Sequence, residues 1–126
     1  MSTRGTIAVQ HDDGTVSQIY SRYDNYLDGT GYMLIGFYNS QYQAEELVRG
    51  GDISSIGKSV ERTIYYGRDR GDEGCEPYVF SSLDSYHEGL CGQEYNYLFT
   101  DGQWWVEYHD CDGGFANLET ALKSAV

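Results

Sequence analysis

The sequence predicts an α+β domain: a mainly antiparallel sheet built from hairpins, with two or three short helices. Three observations predict it. Asp101-Gly102 stands between two strand-like runs, the strongest short-range hairpin signal a sequence carries. Asp12-Asp13-Gly14 stands between two more. Ser40-Gln41-Tyr42-Gln43 has the form of a capping box, in which Ser40 is the N-cap and Gln43 the third helical residue.

Residues 6–11 and 15–21 read as the first two strands. With Asp13-Gly14 as a two-residue type I′ turn, Val9 faces Gln18. The core face then carries Ile7, Val9, His11, Val16, Gln18 and Tyr20, and Ser17 and Ile19 fall on the other. Residues 22–29 form a polar loop with aromatic insertions. Residues 30–39 are apolar and predict a first helix, weakened by Gly31 and Gly36. A second helix starts behind Ser40, runs to Arg49 and stops at Gly50-Gly51. Residues 52–57 make a compact turn pinned to the core by Ile53 and Ile56. Residues 60–66 read as a strand. Three glycines and five charges in residues 67–74 exclude a regular buried element, so this is a loop. Residues 78–81 suit a short strand with Pro77 at its start. The pattern over 83–90 selects neither helix nor strand.

In the hairpin around Asp101-Gly102 the register pairs Phe99 with Trp104, Tyr97 with Val106 and Tyr95 with Tyr108. Trp104 belongs to the core. Trp105 points to the opposite, mostly polar face, where a helix covers it or it serves as an interface anchor. Asn117 caps a last helix, with Leu118, Ala121, Leu122 and Ala125 on one stripe. There is no repeat, linker or low-complexity tract, so residues 1–126 make one domain.

Eight Lys and Arg against twenty Asp and Glu leave a net charge of −12. The imbalance is concentrated: residues 1–63 carry −3 and residues 64–126 carry −9, and between Asp69 and Glu119 the only base is Arg70. So few cations argue against direct binding of nucleic acid, whose phosphates need Lys or Arg to displace counterions. No apolar run approaches the ~18 residues of a membrane span. No signal-peptide pattern opens the chain, so the cytoplasm is the expected compartment. Cys75, Cys91 and Cys111, an odd number, read as reduced thiols.

Motifs for chemistry are sparse. Cys75, Cys91, His109 and Cys111 have the residue types of a Cys3His zinc site, but no C-x-x-C pair is present. Asp110-Cys111-Asp112-Gly113-Gly114 lacks the third acidic ligand and the distal Glu of a calcium loop. No metal and no cofactor are expected. A thiol could pair with His11, His87 or His109, as in a small cysteine-dependent hydrolase, yet no nucleophile elbow surrounds any Cys. No P-loop, dinucleotide fingerprint or H-E-x-x-H is present. The chain is expected not to be an enzyme.

The scarce arginines group more tellingly. Arg22 stands two residues before Asp24, and Arg68 and Arg70 flank Asp69. One reading, the preferred one, is structural: Arg–Asp pairs lock two loops. The other is that Arg22, Arg68 and Arg70, with Tyr23 or Tyr26, receive a phosphate or a base. Thirteen tyrosines exceed what a core of this size needs. Tyr23, Tyr26, Tyr42, Tyr65, Tyr66, Tyr78 and Tyr86 lie in or near polar segments, and rings interleaved with carboxylates suit recognition of a basic protein groove.

Ser2-Thr3-Arg4-Gly5-Thr6-Ile7-Ala8-Val9, Asp13-Gly14-Thr15-Val16, Ile19-Tyr20, Tyr23-Asp24-Asn25-Tyr26, the Gly-Asp-Ile-Ser-Ser-Ile-Gly of residues 51–57 and the Tyr-Gly-Arg-Asp-Arg-Gly of residues 66–71 recur as an assembly. That assembly resembles a group of small accessory proteins of tailed bacteriophages and prophages, and it covers most of the chain. The chain departs from the pattern at Arg22-Tyr23, where the group has His-Trp, and at Asn25 and Leu27, where it has Gly and Pro. The resemblance implies a phage accessory protein acting in the bacterial cytoplasm.

Charge, rings and this resemblance together lead to one expectation: an acidic inhibitor of a host nucleic-acid-handling defence, of the anti-CRISPR or anti-restriction kind. Its partner is a host protein with a basic nucleic-acid channel. The residues expected to engage it are Asp69, Asp72, Glu73, Glu76, Trp105, Glu107, Asp110 and Asp112, and the reading leaves room for a homodimer. The alternative is a protein that sequesters a signalling nucleotide through Arg22, Tyr23, Tyr26, Arg68 and Arg70.

Overall fold

The computed structural model describes residues 3–89, 93–108 and 114–124. Its strands are β1 (Gly5–Gln10), β2 (Val16–Ser21), β3 (Ile53–Ser55), β4 (Ile64–Tyr65), β5 (Tyr78–Phe80), β6 (Tyr95–Thr100), β7 (Gln103–Tyr108) and β8 (Ala116–Asn117). Its helices are α1 (Tyr32–Phe37), α2 (Gln41–Arg49), α3 (Tyr66–Arg70), α4 (Leu83–Glu88) and α5 (Leu118–Ser124). The strands form one sheet in the order β4-β3-β2-β1-β6-β7-β8, with β5 also paired to β2. β1 runs parallel to β6 and β2 parallel to β3, and the other pairs are antiparallel. The protein is therefore α+β with a mostly antiparallel sheet, as the hairpin signals predict.

Helices cover both faces. On one, Leu34 of α1, Ala44, Leu47 and Val48 of α2, and Leu118 and Ala121 of α5 close over Ile7, Val9, Ile19, Tyr97, Phe99, Trp104 and Val106. On the other, Tyr86 and Leu83 of α4, with Phe80 and Phe115, cover Ala8, Val16 and Leu98. Among the described residues no helix is long and apolar enough to cross a membrane.

The β6–β7 hairpin has the predicted register, with Phe99 opposite Trp104, Tyr97 opposite Val106 and Tyr95 opposite Tyr108. Asp101 (φ 54°) and Gly102 (φ 72°) are both left-handed, as a type I′ turn requires. The caps also form. The Ser40 hydroxyl accepts the Gln43 N–H at 3.2 Å, α2 ends at Gly50, and the Asn117 side chain accepts the Thr120 N–H at 3.1 Å.

The first hairpin differs by one residue. Val9 pairs with Ser17, not Gln18, and Ile7 with Ile19. Gly14 is left-handed (φ 92°) but Asp13 is not. The Asp13 carboxylate accepts the Thr15 N–H at 3.0 Å and the Thr15 hydroxyl at 2.6 Å. The Gly14 N–H bonds the His11 carbonyl at 2.9 Å, and the His11 N–H bonds the Thr15 carbonyl at 2.8 Å. This is a three-residue loop with glycine in the left-handed position. A one-residue shift moves every β2 side chain to the opposite face. Ile19 and Ser17 join Ile7 and Val9, while Val16 joins Ala8 on the α4 side.

Other differences follow from tertiary pairing. The 52–57 turn contains β3, paired to both β2 and β4. The 60–66 strand shrinks to β4 behind a single 3-10 turn at Val60–Arg62. The 67–74 loop begins as the short exposed helix α3. The undecided 83–90 segment contains α4, whose cap is Ser82 Oγ accepting the Ser85 N–H at 3.1 Å. Of the tyrosines expected at the surface, Tyr65 and Tyr86 are fully buried, whereas Tyr23, Tyr26, Tyr42 and Tyr78 are exposed.

Candidate functional site

The acidic stretch divides into one carboxylate paired within its own helix and several exposed ones. Asp69 is locked into α3: Arg68 Nε and Nη2 donate to its two oxygens at 2.9 Å each, and the Tyr65 N–H donates at 2.8 Å. The Arg68 bond, followed by the backbone bond, holds its carboxyl below the usual range. Asp69 thus has a local structural role at the start of α3 while its side chain stays exposed. Asp72, Glu73 and Glu76 remain exposed. Asp72 and Glu76 converge with Asp52 on Cys75, whose thiol is pushed up first by burial and then by these charges. Burial pushes the Asp52 carboxyl up and Glu76 adds to it, against the Tyr20 N–H that donates to Asp52 at 2.8 Å. Immediately after them β5 exposes Tyr78 (64 %) and Val79 (58 %).

Trp105 and Glu107 do not join that cluster. Four inter-strand steps separate β5 from β7, roughly 19 Å at about 4.8 Å each. Trp105 is half-buried and donates its indole N–H to the Thr100 carbonyl at 3.1 Å, bracing its own hairpin. Glu107 is half-buried and accepts from Asn96 at 3.4 Å. The exposed acids of α4, Asp84 and Glu88, were missed because the 83–90 pattern did not declare a helix. Asp110 and Asp112, like Cys91, His109 and Cys111, lie outside the described residues.

The three arginines have different fates. Arg68 is structural: besides Asp69 it donates to the Val60 and Thr63 carbonyls at 2.9 and 2.7 Å and lies 4.7 Å from the centre of the Tyr65 ring. Arg22 lies 5.4 Å over Tyr23, and Arg70 lies 5.3 Å over Tyr66. The charge of Arg22 is also felt by the half-buried Tyr66. Tyr26 belongs elsewhere, lining a cavity of about 360 Å³ with Asp24, Asp28 and Tyr32. There Asp24 is held left-handed at φ 59°. Its carbonyl accepts the Thr30 N–H and hydroxyl at 2.9 and 3.0 Å. The fully buried Asn25 next to it donates to the Thr3 and Ser21 carbonyls at 2.7 and 2.8 Å.

A further constellation is absent from the sequence reading. His11 Nδ1 lies 2.6 Å from Glu45 Oε2, and His11 Nε2 lies 2.7 Å from Ser17 Oγ. Glu45 comes from α2, His11 from the first loop and Ser17 from β2. The His11 bond, ahead of all other influences, holds the Glu45 carboxyl below its ordinary range. An ionised carboxylate only accepts, so Nδ1 carries a proton toward Glu45, and Nε2 is the ring nitrogen that faces the Ser17 hydroxyl. The three residues line a cavity of about 360 Å³ with Val48, Arg49, Pro77 and Val79. The two-residue turn had put Ser17 on the face opposite His11, and the observed register brings them together.

No protein-family model, curated protein or solved structure matches this chain.

Proposed function

We propose that this chain is a phage-encoded acidic inhibitor that occupies the basic nucleic-acid channel of a host defence protein of the CRISPR-effector or restriction type. The observation that carries this reading is the run of exposed acids Asp72, Glu73 and Glu76, of which Asp72 and Glu76 gather with Asp52, followed by the exposed Tyr78 and Val79. Carboxylates provide long-range attraction to a cationic groove, and rings provide contact area at low entropic cost. The exposed acids Asp84 and Glu88 of α4, whose Tyr86 packs on Phe80 of β5, add negative charge beside that run. The test is capture of bacterial proteins on the immobilised chain, with elution by duplex DNA or by salt. Both competitors are expected to release the partner, and the triple variant Asp72→Asn, Glu73→Gln, Glu76→Gln is expected to capture it at least tenfold less. A partner that resists both competitors, or binds the triple variant equally, overturns the reading.

Two exposed arginines that each lie over a tyrosine ring, Arg22 over Tyr23 and Arg70 over Tyr66, favour a second reading, sequestration of a signalling nucleotide. Cyclic or ADP-ribose-type nucleotides should then raise Tm, and the Arg22→Ala, Arg70→Ala double variant should not respond.

A further inference from the structure

We propose that Ser17, His11 and Glu45 form a hydrolytic site for small carboxylic esters, an activity distinct from partner binding whose cavity shares Val79 with the acidic face. Three observations converge. The acid–imidazole–hydroxyl order is the one that activates a serine: carboxylate on Nδ1, hydroxyl on Nε2, both bonds short. Ser17, His11 and Glu45 all line one cavity of about 360 Å³. The cavity wall supplies both an apolar surface, from Val48, Pro77 and Val79, and a cation, Arg49.

These features define the substrate class. A small apolar acyl group lies against Val48, Pro77 and Val79, and the carbonyl oxygen lies toward Arg49, where negative charge develops. Ser17 Oγ bonds to the acyl carbon as its proton passes to His11 Nε2. The bond to the leaving oxygen breaks, and that oxygen takes the proton from His11 to depart as the alcohol. Water then attacks the acyl-Ser17 ester, giving one proton to His11. The acid is released, and Ser17 recovers its proton from His11. Glu45 touches no reacting atom. It is a positioning residue that holds the ring's tautomer and orientation and offsets the charge of the imidazolium.

The test treats the intact protein with a fluorophosphonate probe, maps the adduct by peptide mass spectrometry, and follows hydrolysis of p-nitrophenyl acetate and butyrate. One adduct at Ser17 is expected, together with ester turnover that falls at least 100-fold in Ser17→Ala and in His11→Asn. Glu45→Gln is expected to lower kcat about tenfold or more with KM unchanged, a split that a loss of packing between α2 and the first hairpin does not produce. Absence of a Ser17 adduct in the wild-type protein, or ester turnover unchanged in Ser17→Ala, overturns the proposal. The wild-type adduct needs no variant to fold, and the acidic residues used to test partner binding are untouched throughout.

Discussion

At the scale of single residues, polar groups decide more than apolar ones. Asn25 is fully buried and is satisfied because the chain presents the Thr3, Ser21 and Tyr23 carbonyls and the Thr30 hydroxyl to it. Its backbone carbonyl in turn receives the Tyr97 hydroxyl at 2.7 Å. Asn25→Ala leaves two buried carbonyls without that donor, and urea unfolding should register a loss of about 2–3 kcal/mol. Asp52 works in the other direction. Its carboxyl pKa is raised, chiefly by burial, so the ionised form opposes folding above the folded-state pKa. As pH falls through that value the folded chain takes up the proton more readily than the unfolded chain, and the penalty fades. Asp52→Asn keeps an oxygen for the Tyr20 N–H and should raise Tm at neutral pH. The gain should shrink on acidification, and a constant gain across pH would show that charge is not its cause.

At the scale of elements, turns and caps carry the specification. α2 has nine residues, too few to be stable alone, so its start depends on Ser40 and its position on Ala44, Leu47 and Val48. Ser40→Ala should cost about 1 kcal/mol in chemical denaturation, with the m-value unchanged. The two hairpins make a useful contrast. In Asp101-Gly102 both residues are left-handed and the two-residue turn forms. In Asp13-Gly14 the Asp13 carboxylate is engaged by Thr15, its backbone stays right of the left-handed region, and the loop takes a third residue. The same dipeptide thus gives two registers because one threonine competes for the side chain.

For the whole molecule, charge is the dominant quantity. A net charge of −12 on 126 residues repels itself, and acids such as Asp72, Glu73 and Glu76 stay exposed. Screening that repulsion should raise Tm by a few degrees between low and physiological ionic strength, as read by calorimetry. The same salt should weaken a complex with a basic partner. Opposite responses of stability and of binding to one variable are the signature expected of an acidic recognition surface, and a Tm that falls with salt would argue against it.

The sequence by itself determined the fold class, the β6–β7 register, both ends of α2 and the capped start of α5, because local chemistry decides each one: an Asp-Gly turn, a hydroxyl on an N–H, a glycine stop, an Asn cap. It also determined the acidity of the second half. Only the tertiary structure decided that Arg68, besides its expected pairing with Asp69, ties down the Val60 and Thr63 carbonyls, that Arg22 and Arg70 cover the separate rings of Tyr23 and Tyr66, and that Trp105 stands four strands from the acidic loop. The Ser17–His11–Glu45 contact belongs to that second group. It joins a strand, a loop and a helix, and one extra turn residue is enough to bring the serine round to the histidine's side of the sheet.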